Sequence, residues 1–269
     1  MELDHKKFKE IKAAFTLDND TLHRIADDFR AEMHAGLAHE KGASLRMLRT
    51  FASLPTGKET GTFLALDFGG TNVRALRLRL DGSGKYKVES KVAKPLTLPG
   101  VYDYVCADAT ADEMFDFLAE IIDEAIEGDH KTKYLLGHTF SFPSEQTNLC
   151  NARLITWTKE FATQGVEGKV VNDLLEDALM RRGMKNVVPV AVINDTVAVL
   201  LAAAYKREHT YIGSIYATGQ NTCYFENFAD GSEKPMVINM ESGGFNRLPF
   251  SKYDDAIDAC SEQPGAQRL

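Results

Sequence analysis

Residues 63–74 read Phe-Leu-Ala-Leu-Asp-Phe-Gly-Gly-Thr-Asn-Val-Arg, and they constrain the fold more than any other stretch. Phe63 to Leu66 form an apolar run with strand character that ends in Asp67, a paired glycine and two small polar residues. From Val73 a second strand leaves with Leu76, Leu78 and Leu80 on one face and Arg77 and Arg79 on the other. This is the period-two alternation of a half-buried strand. A hairpin turning through Gly69-Gly70-Thr71-Asn72 gathers several backbone N–H groups at one point. Glycine has no Cβ, so an anion can come close to the backbone there. Asp67 stands at the strand end beside it, where a magnesium-bearing polyphosphate could be held. An ordinary tight hairpin turn accounts for the same residues equally well.

The chain has 269 residues, enough for one large domain or two ordinary ones, and its 44% apolar content supplies a substantial core. A net charge of −8 with no Lys/Arg-rich block argues against nucleic acid or anionic membrane as partner. No apolar run approaches membrane-spanning length, and the first residues lack the apolar core of a signal peptide. Cys106, Cys150, Cys223 and Cys260 are widely spaced with no CxxC pair, a pattern of individual reduced thiols rather than a disulfide frame or zinc site. The expectation is a soluble, cytoplasmic protein.

Periodicity predicts helix over 3–38, broken near Thr16–Asp20, then a short segment Ser44–Phe51 and a linker marked by Pro55, Gly57 and Gly61. After the hairpin, Asp81-Gly82-Ser83-Gly84 signals a turn into a third strand, Tyr86–Ala93, so that three strands meander antiparallel. Thr110 and Glu113 have capping-box spacing and open a helix with Met114, Phe117, Leu118, Ile121, Ile122 and Ala125 on one face. A strand over Tyr134–Phe140, a helix over Val170–Arg182, a buried valine-rich strand over Val187–Ile193 and an alanine-rich helix over Val197–Tyr205 follow. The pattern then restarts with strands Tyr211–Ala217, Thr222–Phe225 and Val237–Met240. A β-β-β-α-β-α-β order with a repeated opening implies an α/β protein of two similar halves facing a cleft.

Other residues carry chemistry. Asn194-Asp195-Thr196 closes the valine strand. Asp195 is placed to act as a general base from the cleft, or simply to cap the next helix, and spacing alone favours the cap. Ala217-Thr218-Gly219-Gln220-Asn221 is a second glycine turn, readable as a second phosphate cradle or a plain hairpin. Ser141, Thr158, Lys159 and Glu241 could offer hydroxyl, ammonium and carboxylate groups to a polyhydroxylated ligand, though each one alone reads more often as an ordinary surface polar group. The seven histidines have no metal-ligand spacing, and neither a Walker A sequence nor a Rossmann glycine fingerprint is present.

Taken in order, these segments resemble the hexokinase family, the sugar kinases of the actin-like ATPase superfamily. Met47-Leu48-Arg49-Thr50-Phe51 is similar to the family's approach to its first hairpin. Leu66 to Arg74 resembles the first phosphate motif, and Phe140-Ser141-Phe142-Pro143 and Trp157-Thr158-Lys159 resemble the sugar-binding segments. Val192 to Val197 resembles the first connecting motif, and Ala217 to Tyr224 the second phosphate motif. The resemblance implies an α/β fold of the ribonuclease H-like/actin-like ATPase type, with two lobes around a cleft and the second lobe incomplete. Residues 61–195 would be the small lobe, with 1–60 and 196–269 belonging to the large one. It implies transfer of the ATP γ-phosphoryl, with Mg2+, to the 6-hydroxyl of a hexose such as glucose, the first step of glycolysis. Asp195 would be the catalytic base, which reverses the preference drawn from spacing. Ser141, Thr158, Lys159, Asn194, Asn221 and Glu241 would hold the sugar. Asp67, Gly69, Gly70, Thr71, Asn72, Arg74 and Thr218 would face the phosphates and magnesium, and no separate protein-held metal site is implied.

The chain also departs from the family pattern. Residues 261–269 resemble an internal family segment, with the adenosine motif and closing helices expected later, so a fragment inactive by itself is expected. Ala217 stands in place of glycine, Gln220 in place of a small hydroxyl residue and Ser242 in place of an aromatic residue. Phe68 replaces leucine, a minor change. These departures leave a second reading open: a hexose-binding or regulatory relative that does not turn over.

Overall fold

The computed structural model describes residues 5–217, 219–261 and 265. The chain forms two compact units: Met1–Met47 with Ala217–Asn221 and Met240–Leu269, and Leu48–Tyr216 with Thr222–Asn239.

The first unit opens with α1 (His5–Ala14) and α2 (Asn19–Leu37). Asp18 caps α2 by accepting a hydrogen bond from Thr21 N at 2.8 Å, which is the break expected near Thr16–Asp20. Glu32 is a buried carboxylate on α2. It accepts from Ser44 N at 2.6 Å and Ser44 Oγ at 2.9 Å, and pairs with Arg247 at 3.0 Å. One side chain thus ties the helix to two segments distant in sequence.

The second unit contains β1 (Leu48–Arg49), β2 (Thr60–Phe68), β3 (Asn72–Asp81), β4 (Tyr86–Pro95), β5 (Thr97–Leu98) and β6 (Tyr102–Asp103). It continues with α3 (Ala111–Ala125), β7 (Tyr134–Phe140), β8 (Ser144–Glu145), β9 (Arg153–Leu154) and α4 (Val171–Arg181). Then come β10 (Val187–Ile193), α5 (Asp195–Lys206), β11 (Ile212–Tyr216), β12 (Gln220–Glu226), whose first two residues fall in the first unit, and β13 (Met236–Asn239). The main sheet has the order β10-β7-β2-β3-β4. β2, β3 and β4 form the expected antiparallel meander, while β7 and β10 run parallel to β2.

The core follows the period-two pattern on β2 and the period-3.6 pattern on α3. On β3, however, the buried positions are Val73 and Ala75, on the same face as Arg77 and Arg79, while Leu76, Leu78 and Leu80 are only half-buried on the other face. Leu64, Leu66 and Phe68 of β2 are buried, and so is the whole predicted stripe of α3. That helix starts with the reciprocal capping box of Thr110 and Glu113 read from their spacing. Another expectation is corrected. The valine-rich β10 is an edge strand, and only Val187 and Val192 are fully buried. Pro189 cannot donate to a ladder, and the register shifts between Pro189 and Ala191, both features of a sheet margin.

A four-stranded sheet of order β1-β13-β12-β11 carries the repeated opening. α5 packs on it through Val197 and Leu200, with Ala52, Cys223 and Val237 completing a small core. The sequence reading left Lys252–Ala259 of the first unit without an element. It is a helix, α6, started by Ser251 and Asp254 in a second capping box.

Candidate functional site

Register decides what the main sheet brings together. Asp67 of β2 pairs with Thr139 of β7, and Thr139 pairs with Ile193 of β10. The three parallel strands therefore end in one row. The glycine turn after Phe68, Ser141 after Phe140, and Asn194-Asp195 after Ile193 all leave from the same edge. With strands about 4.8 Å apart, the turn and the start of α5 are about 10 Å apart. In open α/β sheets, ligands bind in the crevice outside the carboxyl ends of the parallel strands.

Asp67 is held from both sides. Its Oδ1 accepts from Thr139 Oγ1 at 2.8 Å and its Oδ2 from Arg74 Nη1 at 2.9 Å. The carboxylate remains about 40% exposed. Gly69 N donates to Asn72 O at 3.2 Å and closes the turn, and Thr71 O accepts from Leu96 N. Thr71 is exposed, and Asn72 half-buried. A Cβ on Gly70 would stand 3.2 Å from Lys159 Cδ, so the absent side chain is what lets the turn lie against that lysine. Lys159 Nζ in turn donates to Ser141 O at 2.9 Å and lies 5.2 Å from the centre of the Phe142 ring. Thus Lys159 lies between the glycine turn and the Ser141 segment. Ser141 is buried, Thr158 and Lys159 exposed.

Beneath these groups lies a cluster of rings that no periodicity announced. Phe142 is 4.7 Å from Trp157, 4.8 Å from Phe161 and 4.9 Å from Phe140, and Phe68 is 5.8 Å from Phe142. Edge-to-face contacts of this kind are directional and add to the burial of the rings.

At the start of α5 the cap is Asn194, not Asp195. Asn194 Oδ1 accepts from Thr196 N at 2.8 Å with extended backbone. Asp195 is already the first helical residue, and its Oδ1 also accepts from Thr196 N, at 2.8 Å. The capping alternative for Asp195 therefore goes to its neighbour. Asp195 Oδ2 carries no hydrogen bond among the described residues. Cys223 lies behind, its Sγ donating to Thr196 O. Burial, reinforced by the charge of Asp195, pushes its thiol up to about 12, so it stays protonated. A hollow of about 20 Å³ beside Asn194, lined by Phe140, Phe142, Gln146 and Ile193, has room for one water and not for a sugar.

Asn221 and Glu241 belong to the first unit. Ser242 N donates to Asn221 Oδ1 at 3.2 Å, so Asn221 sits against the residue after Glu241. Glu241 itself has left-handed backbone, φ +52°, and heads a one-turn helix. Thr218 lies outside the described residues. Ala217 N donates to Gly219 O at 2.9 Å.

The sequence reading missed Thr139, which orients Asp67, and His138, which faces the other way. His138 is fully buried, next to Asn172 of α4. Neither ring nitrogen and neither amide atom has a hydrogen-bond partner among the described residues. Alternation along β7 separates the two positions, but only the register shows that Thr139 meets Asp67. Among the described residues no three of His, Cys, Asp and Glu converge as a metal cage, and no helix is long and apolar enough to cross a membrane.

Two family models, each described as hexokinase, match residues 7–205 and 211–269. Hexokinase-1 of Schizosaccharomyces pombe is 36% identical over 275 residues, covering 96% of this chain and 55% of that protein. A hexokinase crystal structure superimposes with a TM-score of 0.84 at 36% identity, over 96% of this chain and 61% of the other. The structure of hexokinase from Schistosoma mansoni complexed with glucose gives 0.77 at 34% identity, over 97% and 61%. The chain thus spans little more than half the length of these relatives. The fold is the α/β, actin-like ATPase type of the hexokinases, as the motifs implied. With both models matching in sequence order and the strand ends in register, the chain belongs to the hexokinase family.

Proposed function

We propose that this chain serves ATP-dependent phosphorylation of a hexose, glucose foremost, at its 6-hydroxyl. The observation that carries the reading is the arrangement at Asp195. One carboxylate oxygen is tied to Thr196 N and the other has no hydrogen bond among the described residues, on the sheet edge that also holds the glycine turn. Such a carboxylate can take the proton of the hydroxyl as its oxygen attacks phosphorus. Ser141, Thr158, Lys159, Asn194, Asn221 and Glu241 hold and orient the sugar hydroxyls. The glucose in the Schistosoma relative supports that substrate class.

The phosphate side fits the residues present. Gly70 has no Cβ where one would crowd Lys159, and Asp67 is fixed by two donors while still exposed. Gly69, Gly70, Thr71, Asn72 and Thr218 would supply the cradle, with Asp67 and Arg74 beside it. Bound Mg-ATP provides the phosphoryl group and much of the charge neutralisation. The division into a small lobe over 61–195 and large-lobe pieces over 1–60 and 196–269 belongs to the same proposal.

The test is ATP-dependent hexose phosphorylation by the product of the full open reading frame, with Asp195→Asn as the comparison. Turnover should fall by about 10²- to 10⁴-fold while glucose still binds. Turnover indifferent to Asp195→Asn would overturn the base assignment. Glucose binding without turnover in the unaltered protein would favour the reading as a hexose-binding relative.

A further inference from the structure

Thr158 and Lys159 stand on an awkward stretch of backbone. Lys159 and Glu160 both have left-handed φ, +58° and +66°. Two consecutive non-glycine residues in that region cost free energy and persist only where the surroundings hold them. After the pair, Phe161 N donates to Thr158 O at 3.2 Å, Ala162 N donates to Val105 O, and Thr163 O accepts from Trp157 Nε1 at 2.8 Å. Before it, the hold comes from one oxygen ten residues ahead. Glu167 Oε1 accepts from Trp157 N at 2.7 Å and from Thr156 Oγ1 at 3.0 Å. Glu167 itself is mounted on a firm frame. Val166 is fully buried, and Gly168 N donates to Leu154 O at 2.8 Å.

We infer that Glu167 is the positioning residue for the hexose-binding pair Thr158-Lys159, an inference that rests on the proposed role of that pair. Both bonds go to one oxygen, so what the position needs is an acceptor at that reach, not a charge. Glutamine supplies an oxygen at the same distance. Alanine supplies none, and Trp157 N then loses the partner that fixes the chain entering Thr158. Because Glu167 is exposed, its bonds add little to global stability, which separates positioning from folding.

The experiment is calorimetric titration of the product of the full open reading frame with glucose, for the wild type and for Glu167→Ala, Glu167→Gln, Thr156→Val and Thr158→Ala. Emission from Trp157, the single tryptophan, is recorded without ligand in each. Glu167→Ala should weaken glucose binding about tenfold, the loss of about one good hydrogen bond's worth of positioning. Its melting temperature should stay near that of the wild type, and its tryptophan emission should shift. Glu167→Gln should restore both readouts, and Thr156→Val should weaken binding by a smaller factor. If Thr158→Ala weakens binding and Glu167→Ala does not, the inference is overturned and the hexose reading stands. If neither variant alters binding, or the wild type binds no glucose, the hexose reading falls and takes the inference with it. Should Glu167→Gln fail as badly as Glu167→Ala, the acceptor argument is wrong.

Discussion

His138 gives the second unit an acid sensitivity that can be worked out in advance. The imidazole is fully enclosed between β7 and α4, and burial pushes its pKa down from 6.5 to about 4. Above pH 6.5 the group is neutral in both folded and unfolded chains and contributes no pH dependence. Between 6.5 and 4 the unfolded chain binds a proton that the folded chain refuses. Stability therefore falls as pH falls, by about 1.4 kcal/mol per unit, reaching about 3 kcal/mol near pH 4 and levelling off below it. Leucine fills similar volume and has no proton to bind. Urea unfolding of wild type and His138→Leu, followed by circular dichroism at pH 7, 6, 5 and 4, isolates the effect, because every other titrating group is common to both. The stability difference between the two should shift in favour of the variant by about 3 kcal/mol from pH 7 to pH 4. At pH 7 the variant should be no less stable, since it removes two buried nitrogens that lack partners among the described residues. A difference that stays constant across that range would show that the folded protein accommodates the imidazolium, and the reasoning from burial would be refuted.

Three more outcomes follow from close packing and capping. Gly213→Ala places a Cβ 2.8 Å from Leu200 Cβ and 3.0 Å from Leu200 N. The helix backbone cannot yield cheaply, so about 1–3 kcal/mol should be lost, read from the urea midpoint, and an unchanged midpoint would contradict the packing of β11 on α5. Glu32→Ala strips the acceptor from Ser44 and the partner from Arg247, at about 1–3 kcal/mol near neutral pH. The Ser44 N–H holds that carboxyl below its ordinary range, so the contribution is present above about pH 4.5 and lost as acid titrates the folded state; the deficit of the variant should shrink there. Thr110→Ala removes one half of the α3 capping box and should cost about 1 kcal/mol, whereas Thr110→Ser should cost little.

The elements were legible because local signals agreed with the tertiary outcome. The hairpin at 63–80, the α3 stripe and the Thr110 capping box needed only periodicity and spacing. Two misreadings have local causes as well. Asn194 and Asp195 are adjacent residues that both favour a helix start, and only backbone angles separate the cap from the first helical turn. Val187–Ile193 is apolar enough for a central strand, and Pro189 was the signal of an edge. Ser251-Lys252-Tyr253-Asp254 carried a capping signature for α6 that passed unread, because Asp stands where Glu or Gln is the usual partner. What no sequence scan could supply were pairings across long separations: Glu32 with Ser44 and Arg247, Thr139 with Asp67, and His138 against Asn172. These depend on register and helix placement, which single-chain patterns leave open.

The ring cluster under the candidate site has an evolutionary consequence. Phe68, Phe140, Phe142, Trp157 and Phe161 come from three separate stretches, each ending in a different polar tip. Enlarging or trimming any one ring disturbs all three tips together, so a change useful to one would tend to spoil the others. Change is freest at the exposed ends, at Thr158 and Thr71, while the aromatic keel stays fixed.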